Sequence, residues 1–198
     1  MPKRVDKEER KELIMNSALA VFAREGYREA NLSLIAEESG ISRPTVYQYF
    51  NDKNDIYYYA VKLVTNKMFK RYSSIAWMEG SESELDRIKM IFTDVIDYAS
   101  SNDATISNLV EFMLSEKKRG VDFSKVIEGR TAKLVILLKR ILRQGIDNGT
   151  VRKCDLESVS SNLFYLVESC CFQVAVFRTF DREAALSLIE SYLDFLKA

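Results

Sequence analysis

Apolar residues recur three and four positions apart along nearly the whole chain, and this spacing restricts the fold more than any other feature. The first such segment places Ile14, Ala18, Val21 and Phe22 on one face of an amphipathic helix, which we expect Gly26 to end with a left-handed cap. No stretch alternates convincingly as a strand would, and only two prolines and seven glycines interrupt the 198 residues. The sequence therefore predicts an all-α protein of about nine helices.

Two short helices joined by a tight turn are predicted between residues 31 and 50. Asn31 is placed to cap the first, Leu32–Ser39, and Gly40 to end it. Ser42 is placed to cap the second, and Pro44 falls at its second helical position, where the missing N–H costs nothing. Together with the longer helix before them, the two short helices form a helix-turn-helix layout.

The later helices follow from the same apolar spacing. One begins after Asn51 or Asp52 and fades near Trp77, and Ser83 is placed to cap the next. Further helices are predicted at residues 105–117, 124–148, 162–177 and 182–197, the last capped by Asp181. The segment 162–177 is apolar almost all round but shorter than the about 20 residues that a membrane span needs. We expect the core to cover one of its sides and a second copy of the chain the other.

Composition argues against several classes of protein. The chain has no histidine, which is the usual general base and the commonest zinc ligand, and it has no glycine-rich phosphate loop. These absences disfavour an enzyme and predict no cofactor or metal. The N-terminus shows no secretory pattern, so we expect a cytoplasmic protein in which Cys154, Cys170 and Cys171 are reduced and mostly buried. With 29 basic and 29 acidic residues, net charge alone indicates no nucleic-acid partner.

Residues 14–57 resemble the DNA-binding region of the TetR family of bacterial regulators. They read IMNSALAVFAREGYREANLSLIAEESGISRPTVYQYFNDKNDIY. The matching positions are Phe22, Gly26, Tyr27, Ile35, Ala36, Gly40, Thr45, Tyr47, Phe50 and Lys53. Residues 144–157, QGIDNGTVRKCDLE, are similar to a pattern common in the family's C-terminal domain, in which one helix ends, a turn follows and the next helix begins. The resemblance implies a helix-turn-helix DNA-binding domain at 1–53 and a helical effector-binding and dimerisation domain at 54–198.

The predicted recognition helix has distinct inner and outer faces. At about 100° per residue, Val46 and Phe50 share one face and Gln48 lies opposite them. Glutamine can pair with the edge of adenine, and tyrosines at the sides of the helix can reach phosphates. The predicted DNA contacts are Asn31, Ser33, Ser42, Arg43, Pro44, Thr45, Tyr47, Gln48, Tyr49 and Lys53. Alternatively, the two tyrosines cover the core and Lys53 is simply solvated.

The resemblance also implies a cavity between helices of the second domain. The candidate lining residues are Tyr72, Trp77, Phe92, Tyr98, Phe112, Phe164, Tyr165, Glu168 and Phe172. Aromatic residues in such positions are more often core residues, so that alternative stays open for each. Glu111 and Glu168 are carboxylates in apolar runs, and either can pair with a cationic ligand or an arginine such as Arg130, or lie at a rim or a dimer interface.

Two functions are compatible with these expectations. The first is a homodimeric repressor that binds a pseudo-palindromic operator on double-stranded DNA and is released by a hydrophobic small-molecule effector, with no membrane association. The alternative is an architectural or cell-division DNA-binding factor of the same fold that a protein partner controls. A densely packed second domain without a cavity would favour the alternative.

Overall fold

The structure is a computed structural model that describes residues 3–78, 82–121 and 124–198. Within these ranges it contains nine α-helices and no strand, as the sequence predicts. The helices are α1 (Lys3–Glu29), α2 (Leu32–Ser39), α3 (Arg43–Tyr47), α4 (Lys53–Ala76), α5 (Glu84–Ser101), α6 (Asp103–Lys118), α7 (Ser124–Asn148), α8 (Leu156–Val176) and α9 (Arg182–Asp194). The side chain of Arg130 lies outside the described residues.

Side-chain caps begin the helices where the sequence predicts them. The Oδ1 atom of Asn31 accepts hydrogen bonds from the N–H groups of Ser33 and Leu34 at 3.0 and 3.1 Å. Asp52, rather than Asn51, caps α4. The predicted caps Ser42, Ser83 and Asp181 are confirmed for α3, α5 and α9. These bonds satisfy amides that have no partner inside their helices, which fixes the helix starts.

The two glycines of the N-terminal region end their helices differently. Gly40 has φ 63° and ψ 18°, the left-handed cap that the sequence predicts. Gly26 has φ 79° and ψ 157°, so the prediction of a left-handed cap there is wrong. Its extended ψ breaks α1, and one more turn follows in which the Ala30 N–H donates to the Gly26 carbonyl oxygen at 3.3 Å. This backbone conformation is open essentially to glycine alone.

The predicted limits of the last two helices need correction. Helix α8 begins at Leu156, six positions before the predicted 162, because Asp155 caps it by accepting from the Glu157 N–H at 3.1 Å. Helix α9 ends at Asp194 rather than 197. After it the chain turns back, and Lys197 forms an isolated antiparallel bridge with Val151. Apolar spacing does not indicate such end effects, since a side-chain cap sets the start of α8 and backbone hydrogen bonds accompany the turn after α9.

Two apolar clusters divide the molecule, but not at residue 53. The N-terminal cluster is built on α1, α2 and α3, and it also takes in Ile56, Tyr57 and Ala60 of α4 and Phe112 of α6. The second cluster lies among α5, α7, α8 and α9, with Ile88, Ile91 and Phe92 of α5 fully enclosed. The first turns of α4 and one residue of α6 therefore belong, by packing, to the N-terminal unit.

Helix α8 is covered on one face only. Leu163, Val167 and Val174 are buried, whereas Tyr165 and Phe172 are exposed. With a mean hydropathy of 1.3 over a window of its 21 residues, it is long and apolar enough to cross a membrane by length and composition alone, although 28% of that window is buried within the protein. The half-covered state confirms the expectation that the core covers one side of this helix.

Candidate DNA-binding surface and effector cavity

Helix α3 presents the faces that the sequence predicts. Val46 is fully buried and Phe50 nearly so, which holds the helix against the N-terminal cluster. Arg43, Pro44 and Gln48 are exposed. Gln48 is also the C-cap residue of this helix. The exposed surface of α3 can therefore meet a partner without disturbing the core.

Local contacts hold several of the predicted DNA-contacting side chains in place. The guanidinium of Arg43 lies 5.7 Å from the ring centroid of Tyr47 and donates to its hydroxyl at 3.4 Å. The hydroxyls of Ser42 and Thr45 share a hydrogen bond of 2.8 Å. Such contacts restrict rotamers before binding, which reduces the entropy lost when a surface docks on DNA.

The two tyrosines of this region are not equivalent. Tyr47 has 46% of its surface exposed, whereas Tyr49 is half-buried and packs on the N-terminal cluster. The core-covering alternative thus applies in part to Tyr49 and not to Tyr47. At the start of α2, Asn31 and Ser33 are both exposed, although the Oδ1 atom of Asn31 is already used as a cap.

The ammonium of Lys53 is bound inside the protein, which corrects its expected role as a phosphate ligand. It donates to the carbonyl oxygens of Tyr27 at 2.8 Å, Arg28 at 2.8 Å and Ala30 at 2.9 Å, and lies 4.7 Å from the Tyr27 ring centroid. An ammonium has three N–H donors, so all are used. Burial lowers the pKa of Lys53. Lys53 therefore ties the turn after Gly26 to the start of α4.

A cavity of about 590 Å³ lies between α4, α5, α6, α7 and α8. Five of the candidate residues line it: Phe112, Phe164, Tyr165, Glu168 and Phe172. A smaller chamber of about 130 Å³ adjoins it and is lined by the sixth, Tyr98, together with Leu19 of α1. The two spaces share the lining residues Val61, Thr65, Val95, Ile106, Leu109 and Cys171. Volumes of about 300–1,000 Å³ are usual for small-molecule sites.

Three of the candidate lining residues are elsewhere. Tyr72 and Phe92 are buried in the second cluster, and Trp77 is 53% exposed at the end of α4. An apolar periodicity identifies the inward face of a helix, but it does not distinguish a side chain that fills the core from one that borders a cavity. Of the three, Tyr72 and Phe92 fill the core and Trp77 lies at the surface.

The sequence also misses much of the cavity wall. The remaining lining residues of the large cavity are mainly aliphatic: Tyr58, Val61, Thr65, Val95, Ile106, Leu109, Val110, Met113, Leu134, Val167, Ser169 and Cys171. Aliphatic side chains at helical spacing predict core positions, so nothing in the sequence identifies these residues as cavity lining. Tyr58 is the exception, because three consecutive tyrosines on one helix cannot all face the same core.

Charge is scarce in the cavity. Glu168 is the one charged side chain in its described lining, and burial raises the pKa of this carboxyl group. Burial likewise raises the pKa of the Cys171 thiol to about 12, which keeps the thiol neutral. Glu111, the other candidate carboxylate, lies beside Gly26 of α1 and is not part of this lining. The cavity thus suits a mainly apolar ligand.

Helix α6 joins the cavity to the DNA-binding unit. Glu116 is buried, with 3% of its surface exposed. Its carboxylate accepts hydrogen bonds from the Tyr58 hydroxyl at 3.1 Å and from the Asn54 side-chain amide at 3.2 Å. Arg119 pairs with it at 2.7 Å. Burial and then this hydrogen bond raise the pKa of Tyr58 to about 12. Sequence reasoning missed Glu116, although a carboxylate among the apolar positions of α6 was a usable indication.

A helix-turn-helix unit with an exposed recognition surface, joined through α4 and α6 to a helical domain with a cavity, defines a DNA-binding transcriptional regulator by class. Residues 14–59, which cover most of α1 through the start of α4, match the model of bacterial regulatory proteins of the tetR family. These residues therefore form a DNA-binding domain of the tetR family, and the chain is similar to transcriptional regulators over nearly its whole length.

Transcriptional regulators of known sequence or structure are similar to this chain over most of its length. The HTH-type transcriptional regulator YhgD of Bacillus subtilis is 20% identical over 93% of this chain and 95% of its own. The fatty acid metabolism regulator protein of Bacillus subtilis is 26% identical over 71% of this chain and 70% of its own. A TetR transcription regulator from Haloarcula marismortui superposes with a TM-score of 0.85 at 19% identity, covering 96% of this chain and all of that one (100%). The regulator FadR of Bacillus subtilis, in complex with stearoyl-CoA, superposes with a TM-score of 0.74 at 19% identity, covering 94% and 97%.

Proposed function

We propose that this cytoplasmic regulator represses transcription by binding a pseudo-palindromic operator as a homodimer, and that an apolar small molecule of the acyl-chain class releases it. The observation that carries the proposal is the shared wall between cavity and DNA-binding unit. Phe112 lines the cavity and is also a buried member of the N-terminal cluster. A ligand in the cavity therefore presses on side chains that position α1 and α4.

Operator contact is assigned to the exposed side of α3 and the start of α2. Gln48, Arg43 and Pro44 supply groups that read base edges, and Tyr47 lies at the side of the helix where phosphates run. Ser42, Thr45, Tyr49, Asn31 and Ser33 complete the proposed surface. Lys53 is left out because its donors are already used.

Dimerisation is assigned to the uncovered faces of α8 and α9. Tyr165, Phe172 and Val176 are exposed on α8, and Leu188 on α9. Exposed apolar side chains of this size in one region mark an interface more often than a free surface. Pseudo-palindromic half-sites require two α3 helices about one turn of DNA apart, about 34–36 Å, and a dimer with a two-fold axis supplies two such helices.

The effector class rests on the cavity and on the relatives. Its lining is mostly aliphatic and aromatic, with a single described charge. A related regulator is named for fatty acid metabolism and a structural neighbour was solved with stearoyl-CoA. By linkage, a ligand that favours the conformation with poor DNA affinity weakens operator binding, and DNA weakens ligand binding by the same factor. The cavity disfavours the alternative of a partner-controlled factor, which a densely packed second domain would have supported.

A gel shift with the DNA upstream of the protein's own gene tests the proposal. We expect salt-sensitive, sequence-preferring binding by the native protein and release by dodecanoyl-CoA. A Gln48→Ala variant should relax the preference at one base position by about 1–3 kcal/mol, whereas Ser100→Ala, an exposed change on α5, should not. Absence of sequence preference on any genomic fragment contradicts the operator proposal. Sequence-specific binding that no acyl compound changes contradicts the effector proposal alone.

A further inference from the structure

A small polar pocket lies between α4 and α7, next to the apolar cavity. Its volume is about 200 Å³, and its described lining consists of Lys62, Thr65, Asn66 and Lys133. Thr65 also lines the large cavity and the small chamber. This one side chain therefore borders all three spaces, so the polar pocket adjoins the apolar cavity.

The polar pocket carries two positive charges that have no counter-ion among the described residues. Lys62 and Asn66 are four residues apart on α4 and so lie on one face, while Lys133 comes from α7, its ammonium 5.5 Å from the ring centroid of Phe69. Neither lysine forms an ion pair with any residue that the structure describes. Two like charges that share a pocket repel each other, and a bound anion would relieve that repulsion.

The apolar cavity has the opposite preference. Its described lining contains no lysine or arginine, and its single charge is the carboxylate of Glu168. An anionic group inside it would lose its hydration without gaining a counter-ion, which is costly. A ligand with an apolar chain and an anionic end is therefore favoured in one orientation, with the chain in the cavity and the charge at the lysines.

We infer that Lys62 and Lys133 bind the anionic head group of an amphipathic effector whose chain occupies the large cavity. The inference rests on the proposed function and narrows its ligand class to apolar chains that end in a carboxylate or carry phosphate. Lysine binds both groups as a compact charge with three donors. The amide of Asn66 adds a neutral donor to the same pocket.

Calorimetric titration with three compounds of equal chain length tests the inference. The compounds are dodecanoic acid, dodecanoyl-CoA and dodecan-1-ol, and the proteins are the native chain, a Lys62→Gln/Lys133→Gln variant and a Lys67→Gln/Lys118→Gln variant. The control removes two exposed lysines that do not line the pocket. We expect the first variant to bind at least one anionic compound about tenfold more weakly and the alcohol less than about twofold more weakly. The control variant should match the native protein.

The outcomes distinguish a phosphate site from a carboxylate site, and they test the head-group site separately from the effector class. Weakening of the CoA ester alone identifies a phosphate site, and weakening of the acid alone identifies a carboxylate site. The difference should shrink between about 50 and about 500 mM salt, because the groups are exposed. Equal affinities of the lysine variant and the native protein for both anions overturn the head-group site while the effector proposal stands. Failure of the native protein to bind any of the three compounds overturns both.

Discussion

The side-chain amide of Asn108 on α6 donates to the main-chain carbonyl oxygen of Phe22 on α1 at 2.7 Å. Its Oδ1 atom accepts from the N–H of Tyr27 at 3.0 Å, so one buried carboxamide binds both sides of the break at Gly26. Four residues along α6, the Phe112 ring lies 5.1 Å from the Tyr27 ring and 4.5 Å from that of Tyr57, measured between centroids. Helix α6 therefore carries both a wall of the cavity and a direct bond to the DNA-binding unit.

We predict that Asn108→Ala destabilises the protein and weakens the response to effector. The substitution removes both of these buried hydrogen bonds, and each buried polar group that loses its partner costs about 1–3 kcal/mol. Urea denaturation should show a loss of about 2–4 kcal/mol in the free energy of unfolding. Operator affinity with and without dodecanoyl-CoA should differ less than in the native protein.

The control for this prediction is Asn16→Ala, an exposed asparagine on α1. It should leave both stability and effector response close to native. If Asn108→Ala lowers stability but retains the full effector response, the bond is a structural one and coupling runs through another contact, such as that of Tyr58 with Glu116.

Replacing Lys53 separates a structural role from a DNA-binding role. Lys53→Gln removes a charged donor from the carbonyl groups of Tyr27, Arg28 and Ala30. Because the site is partly exposed, water can replace some of these hydrogen bonds, and the free energy of unfolding should fall by about 2 kcal/mol. The slope of log operator affinity against log salt should stay native, whereas loss of a phosphate ligand would reduce it by about 1. Arg28→Gln, an exposed change nearby, provides the control for stability. A reduced slope with native stability would restore Lys53 as a phosphate ligand.

The architecture is predictable from the sequence because local rules determine it. Helical spacing gave the inward residues of α5 and the outward position of Gln48, and side-chain caps gave the helix starts at Leu32, Arg43 and Arg182. These features depend on residues only a few positions apart, so one sequence is enough to find them.

The cavity wall and the coupling contacts are not predictable in the same way. Phe92 and Phe112 both lie at inward positions of amphipathic helices, yet only Phe112 borders the cavity, because that difference depends on how α4, α5, α6 and α8 are arranged. The sequence predicts a solvated or phosphate-binding role for Lys53. In the structure, the turn after Gly26 places three carbonyl groups within hydrogen-bond distance of its ammonium. Such long-range contacts are set by tertiary packing, which apolar spacing does not encode.

The small chamber predicts a dependence on chain length. Val64 lines this chamber and not the large cavity, and Leu19 of α1 forms part of the same wall. A longer chain that extends into the chamber gains apolar contact, about 0.8 kcal/mol for each buried methylene group. Affinity of the native protein for saturated acyl-CoA esters should therefore rise with length until the chamber is full, and esters that reach it should release DNA best.

A Val64→Phe variant should fill the chamber and shift the preferred chain to a shorter length. Short esters that stay in the large cavity should bind it as they bind the native protein. Val135→Phe on α7, which changes a half-buried residue outside both linings, is the control. If native and Val64→Phe proteins prefer the same chain length, the chain does not enter the chamber.

Glu168 predicts a pH dependence of stability and of ligand binding. Burial raises the pKa of Glu168 in the folded protein above its ordinary value of 4.5. Between 4.5 and this raised pKa, the folded protein binds more protons than the unfolded chain. The free energy of unfolding therefore falls as pH rises through this range. A neutral chain that covers the carboxylate removes it further from water, so dodecan-1-ol should bind more tightly at about pH 5 than at about pH 7. Glu168→Gln should abolish this difference, whereas Glu111→Gln, outside the cavity lining, should retain it. Equal native affinities at both pH values would show that the bound chain leaves Glu168 in water.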